Sequence, residues 1–482
     1  YSRIPKSVRV QWPRGRLAPR PVLPPAWTSV APEKGFPTMA HVSAFRGLRY
    51  NQAKVDIARV VAPPYDVISD ELRARLCARD PHNVVRLTLG PEPLGDDPPE
   101  SRYEQAARDL EEWLERHVLV AESDPALYVY EQEYVAPNHD GPKRRRGVIA
   151  SVRLHDYHEG VVLPHEGTLA RPKADRLRLM EATQCALSPI FAIYSDPSES
   201  AKEALDALVA GHASFEVTDD EGVAHRLWIA TDTGAIEHFE QSMSDKVVVI
   251  ADGHHRYETA LAYRDAMRSR YGFRPGAPWE RVLMFLCNVA AADVTILPCH
   301  RLVREVQSEV LNSLERRAGR AFAVKRVPLP PRGPARLAAV KALLDEMSAR
   351  GDGEHVFAAY WGADHALELT IRDLDALEAS GACPEGPLRD LDVALLHCAL
   401  IEGLLGLQGS RAASGENVFF TRDPREAVES VDAGKSAVVL FVNPTRVDQV
   451  IRLAGSGHKM PQKGTYFWPK LLTGTVMYDL RQ

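Results

Sequence analysis

The chain has 482 residues, of which 45% are hydrophobic and 26% charged, and its formal net charge is −6. This is the composition of a folded globular protein and excludes a largely disordered or fibrous chain; at roughly 150 residues per domain it allows about three domains, or two with large insertions. No run of ~18 apolar residues occurs, so no membrane-spanning helix is expected, and the acidic balance argues against a protein that coats nucleic acid. The six cysteines (Cys77, Cys185, Cys287, Cys299, Cys383, Cys398) lie far apart with no C-x-x-C among them. That spacing argues against a zinc ribbon or a disulfide scaffold and points to a reducing compartment, the cytoplasm.

Residues 1–38 hold eight prolines and seven Lys/Arg against one acid, Glu33. Proline at this density breaks helix and sheet, and little in the segment can form a core. Met39 then opens a different kind of sequence, MAHVSAFRGLRYN. The expectation is a disordered leader over 1–38 that is foreign to the native protein, with Met39 as the start. A basic tail that touches an anionic surface is the alternative. Without the leader, 52 Lys/Arg face 64 Asp/Glu, a net of −12, so any anion site must be a local concentration of cations.

Along the body, 55–68 reads as a short strand ending at Pro63-Pro64. Residues 100–117 have helical spacing through Tyr103, Ala106, Leu110 and Trp113. Segments 126–135 and 147–154 alternate like strands around Asp140-Gly141 and predict a hairpin. A loop from His165 turns helical after Pro172. Strands are predicted at 188–195, 225–232, 246–252, 282–289 and 294–303, with a helix over 255–270. Residues 310–350 predict one or two helices around the break PLPPRGP. A strand pair follows at HVFAAYW and HALELTI, then a helix near 390–405, a buried strand at 436–444 and a helix at 445–454. The mixture is α+β, with several antiparallel pairs rather than strict βαβ alternation.

Three segments carry chemistry. In KVVVIADGHHRYETALAYRDA, 246–266, an apolar strand ends at Asp252-Gly253 and a helix starts at once. A helix N-terminus with free N–H groups suits anions, phosphate above all. Gly253 allows close backbone approach, Asp252 can hold a metal ion or orient a hydroxyl, and His254, His255 and Arg256 add donors and a general acid/base. As plain structure the same residues are an N-cap and two packed histidines. The second segment runs from His165, Glu166, Gly167 and Thr168 through Arg171, Lys173, Asp175 and Arg176. It offers a carboxylate, an imidazole, a hydroxyl and cations, or else a solvated helix start with surface ion pairs. The third, GSGHKMPQKGTYFWPK at 455–470, brings His458, Lys459, Gln462 and Lys463 ahead of Tyr466, Phe467 and Trp468. It can deliver cations to a phosphate while its aromatics dock into the core. Weaker segments are APPYDVIS, with Tyr65 and Asp66 after two prolines, and Arg422-Asp423 before a helix. The Cys299-His300 pair reads as packing. No H-E-x-x-H, Walker A loop, G-x-S-x-G elbow or G-x-G-x-x-G is present.

APPYDVIS, NVVRLTLG, HEGTLARPKADRLRLMEAT, SPIFAIY, ADGHHRYETAL, LPCHRLV, NPTRVDQV and MPQKGTYFWPKLLTG occur in this order. Together they resemble the family known as domain of unknown function 1015, from about Phe45 to Leu480. More distantly, Asp252, Gly253, His254, His255 and Arg256 resemble the box of the ParB/sulfiredoxin superfamily, which includes free-serine kinases. The resemblance implies a pocket for nucleotide or phosphate at a helix N-terminus, and serine or phosphoserine chemistry. The DNA-binding helix-turn-helix of ParB has no counterpart downstream.

The resulting expectation is an α+β protein with a ParB-like domain over 39–305 and an α/β region over 306–482 whose C-terminal loop completes the site. Asp252, Glu166, His254 and His255 are the candidate catalytic groups. Gly253, Arg256, Arg171, Lys173, His458, Lys459 and Lys463 are the candidate binding groups, and Asp252 is the candidate ligand for Mg²⁺. The expected partner is a small phosphorylated metabolite or a nucleotide such as ATP or ADP, handled by a kinase or phosphatase; the alternative is a ParB-like nucleotide-binding regulator without turnover. Removal of 1–38 is expected to leave the melting temperature unchanged in a thermal-denaturation scan, and a truncated chain that unfolds would refute the reading of the leader.

Overall fold

The computed structural model describes residues 40–90, 101–137, 141–209, 211–379, 383–384, 386–412 and 416–481. The leader and Met39 lie outside the described residues.

Two sheets organise the α+β fold. The first has nine strands. In spatial order they are Val162–Leu163, Val248–Asp252, Ile190–Tyr194, Arg281–Asn288, Pro142–Arg153, Leu127–Val135, Ala224–Ala230 and Phe215–Thr218, with Val42–Ser43 added beside Pro142–Arg153. Leu127–Val135 and Pro142–Arg153 form the expected antiparallel hairpin, with Tyr128 opposite Ile149 and Val135 opposite Pro142. Ile190–Tyr194 runs parallel to Arg281–Asn288 and antiparallel to Val248–Asp252.

Successive strand residues face opposite sides of a sheet, so an unbroken apolar run signals burial on both. Val248, Ile250, Ala192, Met284 and Leu286 belong to one core, which takes in Phe239 and Met243 of the Thr233–Met243 helix and Tyr257 of the His254–Tyr271 helix. Val249, Ala251, Phe191, Ile193 and Phe285 belong to the other. Val248–Asp252 is thus buried as expected, but it lies next to the end of the sheet. The two-residue strand Val162–Leu163 covers its outer side in parallel.

The second sheet has six antiparallel strands, in the order Phe322–Pro328, His365–Ile371, Val356–Tyr360, Val438–Val442, His300–Val303 and Val418–Thr421. The helices Pro334–Arg350 and Pro424–Asp432 pack on one face through Val340, Leu343, Met347 and Val428. The other face, with Phe357, Leu440 and Val442, joins the large core shared with the first sheet.

Three expectations change. Residues 55–68 hold a helical turn, Ile57–Val60, and a 3-10 turn, Tyr65–Val67, instead of a strand. Asp56 caps the first by accepting from Ala58 N at 3.0 Å, and this local bond outweighs the β preference of the flanking valines. The predicted strand 294–303 is split into Thr295–Leu297 and His300–Val303, which enter different sheets. Pro298 lacks the N–H that a continuous ladder needs at the break. The 390–405 helix is α-helical only over Asp392–Leu395 and continues as the wider π form through Leu396–Leu404.

The chain end returns to the first sheet's side. Tyr466–Trp468 pairs with Thr295–Leu297, Tyr478–Asp479 pairs with Cys185–Ala186, and Met477 bridges Leu48. No helix among the described residues is long and apolar enough to cross a membrane. Phe441 is fully buried in the second sheet, with its ring edge-on to His300 at 4.9 Å. Phe441→Ala is expected to lower stability by about 3–5 kcal/mol in denaturant titration; a loss under about 1 kcal/mol would show that this core is not packed as described.

Candidate functional site

The site forms where the Val248–Asp252 strand stops. Its register against Ile190–Tyr194 shifts between Ile250 and Asp252, and such an irregularity re-aims the side chain that follows it. Gly253 then turns the chain with φ +99, a left-handed value that L side chains rarely adopt. A Cβ there would stand 2.9 Å from the Arg256 guanidinium. The helix His254–Tyr271 begins immediately, with no side-chain hydrogen bond at its N-cap.

Two cations converge on one carboxylate. Lys470 Nζ donates to Asp252 Oδ1 at 2.7 Å, and an Arg256 guanidinium nitrogen donates to Oδ2 at 2.7 Å. Arg256 also donates to the Pro189 carbonyl. Lys470 Nζ lies 4.4 Å from the centre of the Tyr466 ring. Burial by itself would raise the Asp252 carboxyl, but the Lys470 ammonium and Arg256 guanidinium hold it far below the usual carboxylate range. Burial would lower Lys470, and the Asp252 and Asp66 carboxylates keep it above its ordinary value. Behind Lys470, the fully buried Arg145 donates to the carbonyls of Trp468 and Pro469 and to Gln132 Oε1.

A second layer joins the loops. His165 donates from Nδ1 to the Ile250 carbonyl at 2.6 Å, and its Nε2 faces the Thr465 hydroxyl at 3.0 Å. His254 Nε2 accepts from the His165 N–H at 3.3 Å. Burial pushes the His165 imidazole down to about 4, and burial together with the adjacent His165 pushes His254 well below its ordinary value. Both are neutral packed imidazoles at neutral pH. Glu166 Oε1 accepts from the Lys463 N–H at 2.9 Å, and Lys463 sits at φ +55. Burial raises the Glu166 carboxyl despite the pull of Lys463. Arg301, from the second sheet, donates to the Lys463 carbonyl at 3.2 Å and so braces this loop.

The remaining expected groups sit around this centre. His255 Nε2 accepts from the Leu169 N–H at 2.9 Å. Lys173 and Thr168 both donate to Glu258, at 2.7 and 2.6 Å. Lys459 Nζ lies 5.4 Å from the centre of the Tyr157 ring. Lys173, Lys459, Glu258 and Tyr157 line an open groove of about 510 Å³. Among the described residues the His458 side chain hydrogen-bonds only to Ser456, and the Arg171 side chain is exposed with no hydrogen bond or ion pair. The loops of His165, Asp252 and Lys463 therefore meet, while Arg171 and His458 stay outside the meeting point.

Lys470 escapes the sequence reading: it closes the third segment, yet its neighbours Lys459 and Lys463 look equally suited. The Tyr65–Val67 turn, in the sequence only a weaker candidate, stacks Tyr65 under Arg176 at 4.3 Å, and the Asp66 charge acts on Lys470 and His255. Lys470, Tyr466, Arg422, Arg75 and Arg79 line a cavity of about 500 Å³, whose other walls include Val61, Pro63 and Leu76 and the acidic residues Asp219, Asp220 and Glu221. Arg79 pairs with Asp220 and Arg422 with Glu221, so Lys470 and Arg75 are the cations there without a partner in that lining. A smaller pocket of about 50 Å³ lies at Arg256, Arg176, Tyr65 and Ser188. As the expected Mg²⁺ ligand Asp252 fits poorly, because each of its oxygens already holds a cation. Among the described residues no group of three or more His, Cys, Asp or Glu could hold a metal ion.

The chain belongs to the family of proteins of unknown function DUF1015, whose family model matches residues 42–394. The last two resemblance segments, NPTRVDQV and MPQKGTYFWPKLLTG, lie beyond that span. No curated protein matches. Among solved structures, a free serine kinase in complex with AMP is similar with a TM-score of 0.32 and 13% identity, over 69% of this chain and 91% of that one. A conserved hypothetical protein from Pyrococcus furiosus gives 0.31 and 10%, over 69% and 96%. SbnI with a C-terminal truncation, from Staphylococcus aureus, gives 0.30 and 11%, over 65% and 82%. Likenesses this distant carry no argument about the site.

The histidines generate a pH test. The folded-state pKa of His165, about 4, lies below the unfolded value of about 6.5. The stabilisation of the neutral ring is therefore complete above pH 6.5 and is lost as pH falls from 6.5 through 4. The loss amounts to up to about 3 kcal/mol for this residue. Denaturant titrations across this window should show a shallower acid loss in His165→Gln than in the wild type; parallel curves would contradict the neutral, buried placement.

Proposed function

We propose that the Asp252 cluster and the cavity at Lys470 bind the phosphate of a small phosphorylated molecule or nucleotide and support phosphoryl transfer or hydrolysis. One observation carries the reading. Two buried cations, Lys470 and Arg256, share a single carboxylate beside a helix start that lacks a side-chain cap. Local positive charge and free N–H groups at one point are what a phosphate requires, and in a body of net −12 they stand out.

On this reading Asp252 is a positioning residue that holds Lys470 and Arg256 in place. Its depressed pKa makes it a poor proton acceptor. Glu166 is the proton-handling group, because burial raises its carboxyl toward the range of a general acid/base. Phosphoryl transfer depends chiefly on positioning and charge stabilisation, and the preset cations suit that work. Lys463 and Lys459 supply further positive charge nearby, whereas Lys173 is paired with Glu258. ATP or ADP is the proposed nucleotide. No step is routed through a metal.

Serine or phosphoserine chemistry is the finer form of the proposal and rests on the family resemblance alone, as does the likeness of Asp252, Gly253, His254, His255 and Arg256 to the ParB box. The division into a domain over 39–305 and a region over 306–482 belongs to the same proposal. A cytoplasmic location accords with six free cysteines.

Titration calorimetry with ATP, ADP and phosphoserine, paired with turnover assays, tests the reading. Lys470→Ala should weaken binding at least about tenfold, while Arg256 still pairs Asp252. Glu166→Gln should leave binding intact and cut turnover by on the order of a hundredfold. Unchanged binding in Lys470→Ala would sink the site assignment. Binding that requires Lys470, without turnover in the wild type, would make the protein a nucleotide-binding regulator.

A further inference from the structure

A second concentration of positive charge lies on the other sheet's side, outside the three segments that build the Asp252 site. The short helix Leu314–Ala318 and the turn after it carry Arg316, Arg317 and Arg320. All three line one concavity of about 300 Å³, together with Ser313, Gly403 and Leu404. No carboxylate is in that lining. Arg316 and Arg320 stand four residues apart, the spacing that brings like charges together on a helical turn and destabilises it by a few tenths of a kcal/mol.

The nearby acids are committed elsewhere. Glu315 receives two hydrogen bonds at 2.9 Å from Arg326 on the neighbouring strand. Glu402, next to Gly403, faces His397 at 3.5 Å. Among the described residues none of the three arginines has an ion-pair partner. Arg317 alone is tethered, donating to the Gly403 carbonyl at 3.3 Å, which fixes one guanidinium at the rim. Ser313 donates its hydroxyl to the Glu309 carbonyl at 2.7 Å, leaving its oxygen lone pairs facing outward bonds only as an acceptor. The donors available to a ligand are therefore the guanidinium forks, whose paired N–H groups match phosphate oxygens.

We infer that Arg316, Arg317 and Arg320 form a second anion site that takes a small polyanion with adjacent phosphate groups, of the pyrophosphate or nucleoside-diphosphate kind. Three guanidinium groups exceed what a single phosphate monoanion neutralises, and a concavity of this size accommodates two linked phosphates. This site is independent of the Asp252 cluster and stands even if the function proposed there is wrong.

Calorimetric titration of the full chain with sodium pyrophosphate, at ionic strength matched with sodium chloride, tests the inference. The Arg316→Ala/Arg320→Ala protein changes two exposed side chains, and its fold is checked by circular dichroism. It should lose a binding event or bind at least about tenfold more weakly. Lys470→Ala, which tests the other site, should leave that event unchanged. Wild-type protein that binds pyrophosphate no better than the matched chloride would overturn the inference. So would a double variant that titrates like the wild type. Arg316→Lys/Arg320→Lys, which keeps the charge but removes the fork, separates phosphate recognition from plain attraction; undiminished binding there would overturn the phosphate-specific part of the assignment.

Discussion

The ion pair between Asp252 and Lys470 is the constraint around which the rest of the candidate site is arranged. It joins groups 218 residues apart in sequence, one at the end of a strand and the other in the chain's final return. Both side chains are largely out of water, at 19% and 13% exposure. At such burial the desolvation of two charges offsets much of their attraction, so the pair adds little net stability over an apolar packing. Removing Asp252 is different, because it strands the Lys470 charge, at about 3–5 kcal/mol, whereas removing Lys470 leaves Asp252 paired with Arg256. The pair therefore acts as a register pin. It accepts one placement of the C-terminal segment against the Asp252 turn and penalises the rest.

The pin works because its surroundings are also ordered. Arg145 is buried with no carboxylate partner among the described residues, and its guanidinium is satisfied by Gln132 and by the carbonyls of Trp468 and Pro469. A buried cation held by carbonyl oxygens must keep them close, since losing one leaves a donor unpaired in a medium that cannot replace it. The backbone leading to Lys470 is thus gripped just ahead of the lysine itself. On the other side, Arg256 is fixed between Asp252 and the Pro189 carbonyl. Gly253 completes the geometry, because any side chain there would meet that guanidinium.

Much of this was legible from the residues, and the reasons are physical. The strand Arg281–Asn288 shows itself as an apolar run with no polar face, and the helix His254–Tyr271 by its abrupt start after Asp252-Gly253. The three loops stood out because each is polar and shaped by Gly or Pro between apolar elements. What stayed hidden depends on distant contacts. Lys470 and Arg145 carry long side chains that are solvated by default, and nothing local distinguishes them from the surface lysines and arginines around them. The turn at Ile57–Val60 looks like a strand from its valines, because the deciding contact is one capping carboxylate, Asp56. His254 looked like an acid/base, whereas its ring accepts a backbone bond from His165 and is held neutral by burial.

Glu166 links the loops that the two sheets carry. Glu166 is held by the N–H of Lys463, and the Lys463 carbonyl is held in turn by Arg301 of the second sheet. Arg301 is itself buried, donating also to the Cys299 carbonyl and lying 4.5 Å from the centre of the Phe420 ring. Glu166 is therefore held from both sides: its neighbour His165 is bonded to the Ile250 carbonyl of the first sheet, and its carboxylate meets the Lys463 N–H of a loop braced by Arg301. Asp252 and Arg256 take their positions from the first sheet. Among the described residues the Glu166 carboxylate has one hydrogen bond to lose, whereas Asp252 has two charged partners. The weaker tether lies on the group whose raised pKa suits proton transfer, and the stronger one on the groups suited to hold phosphate.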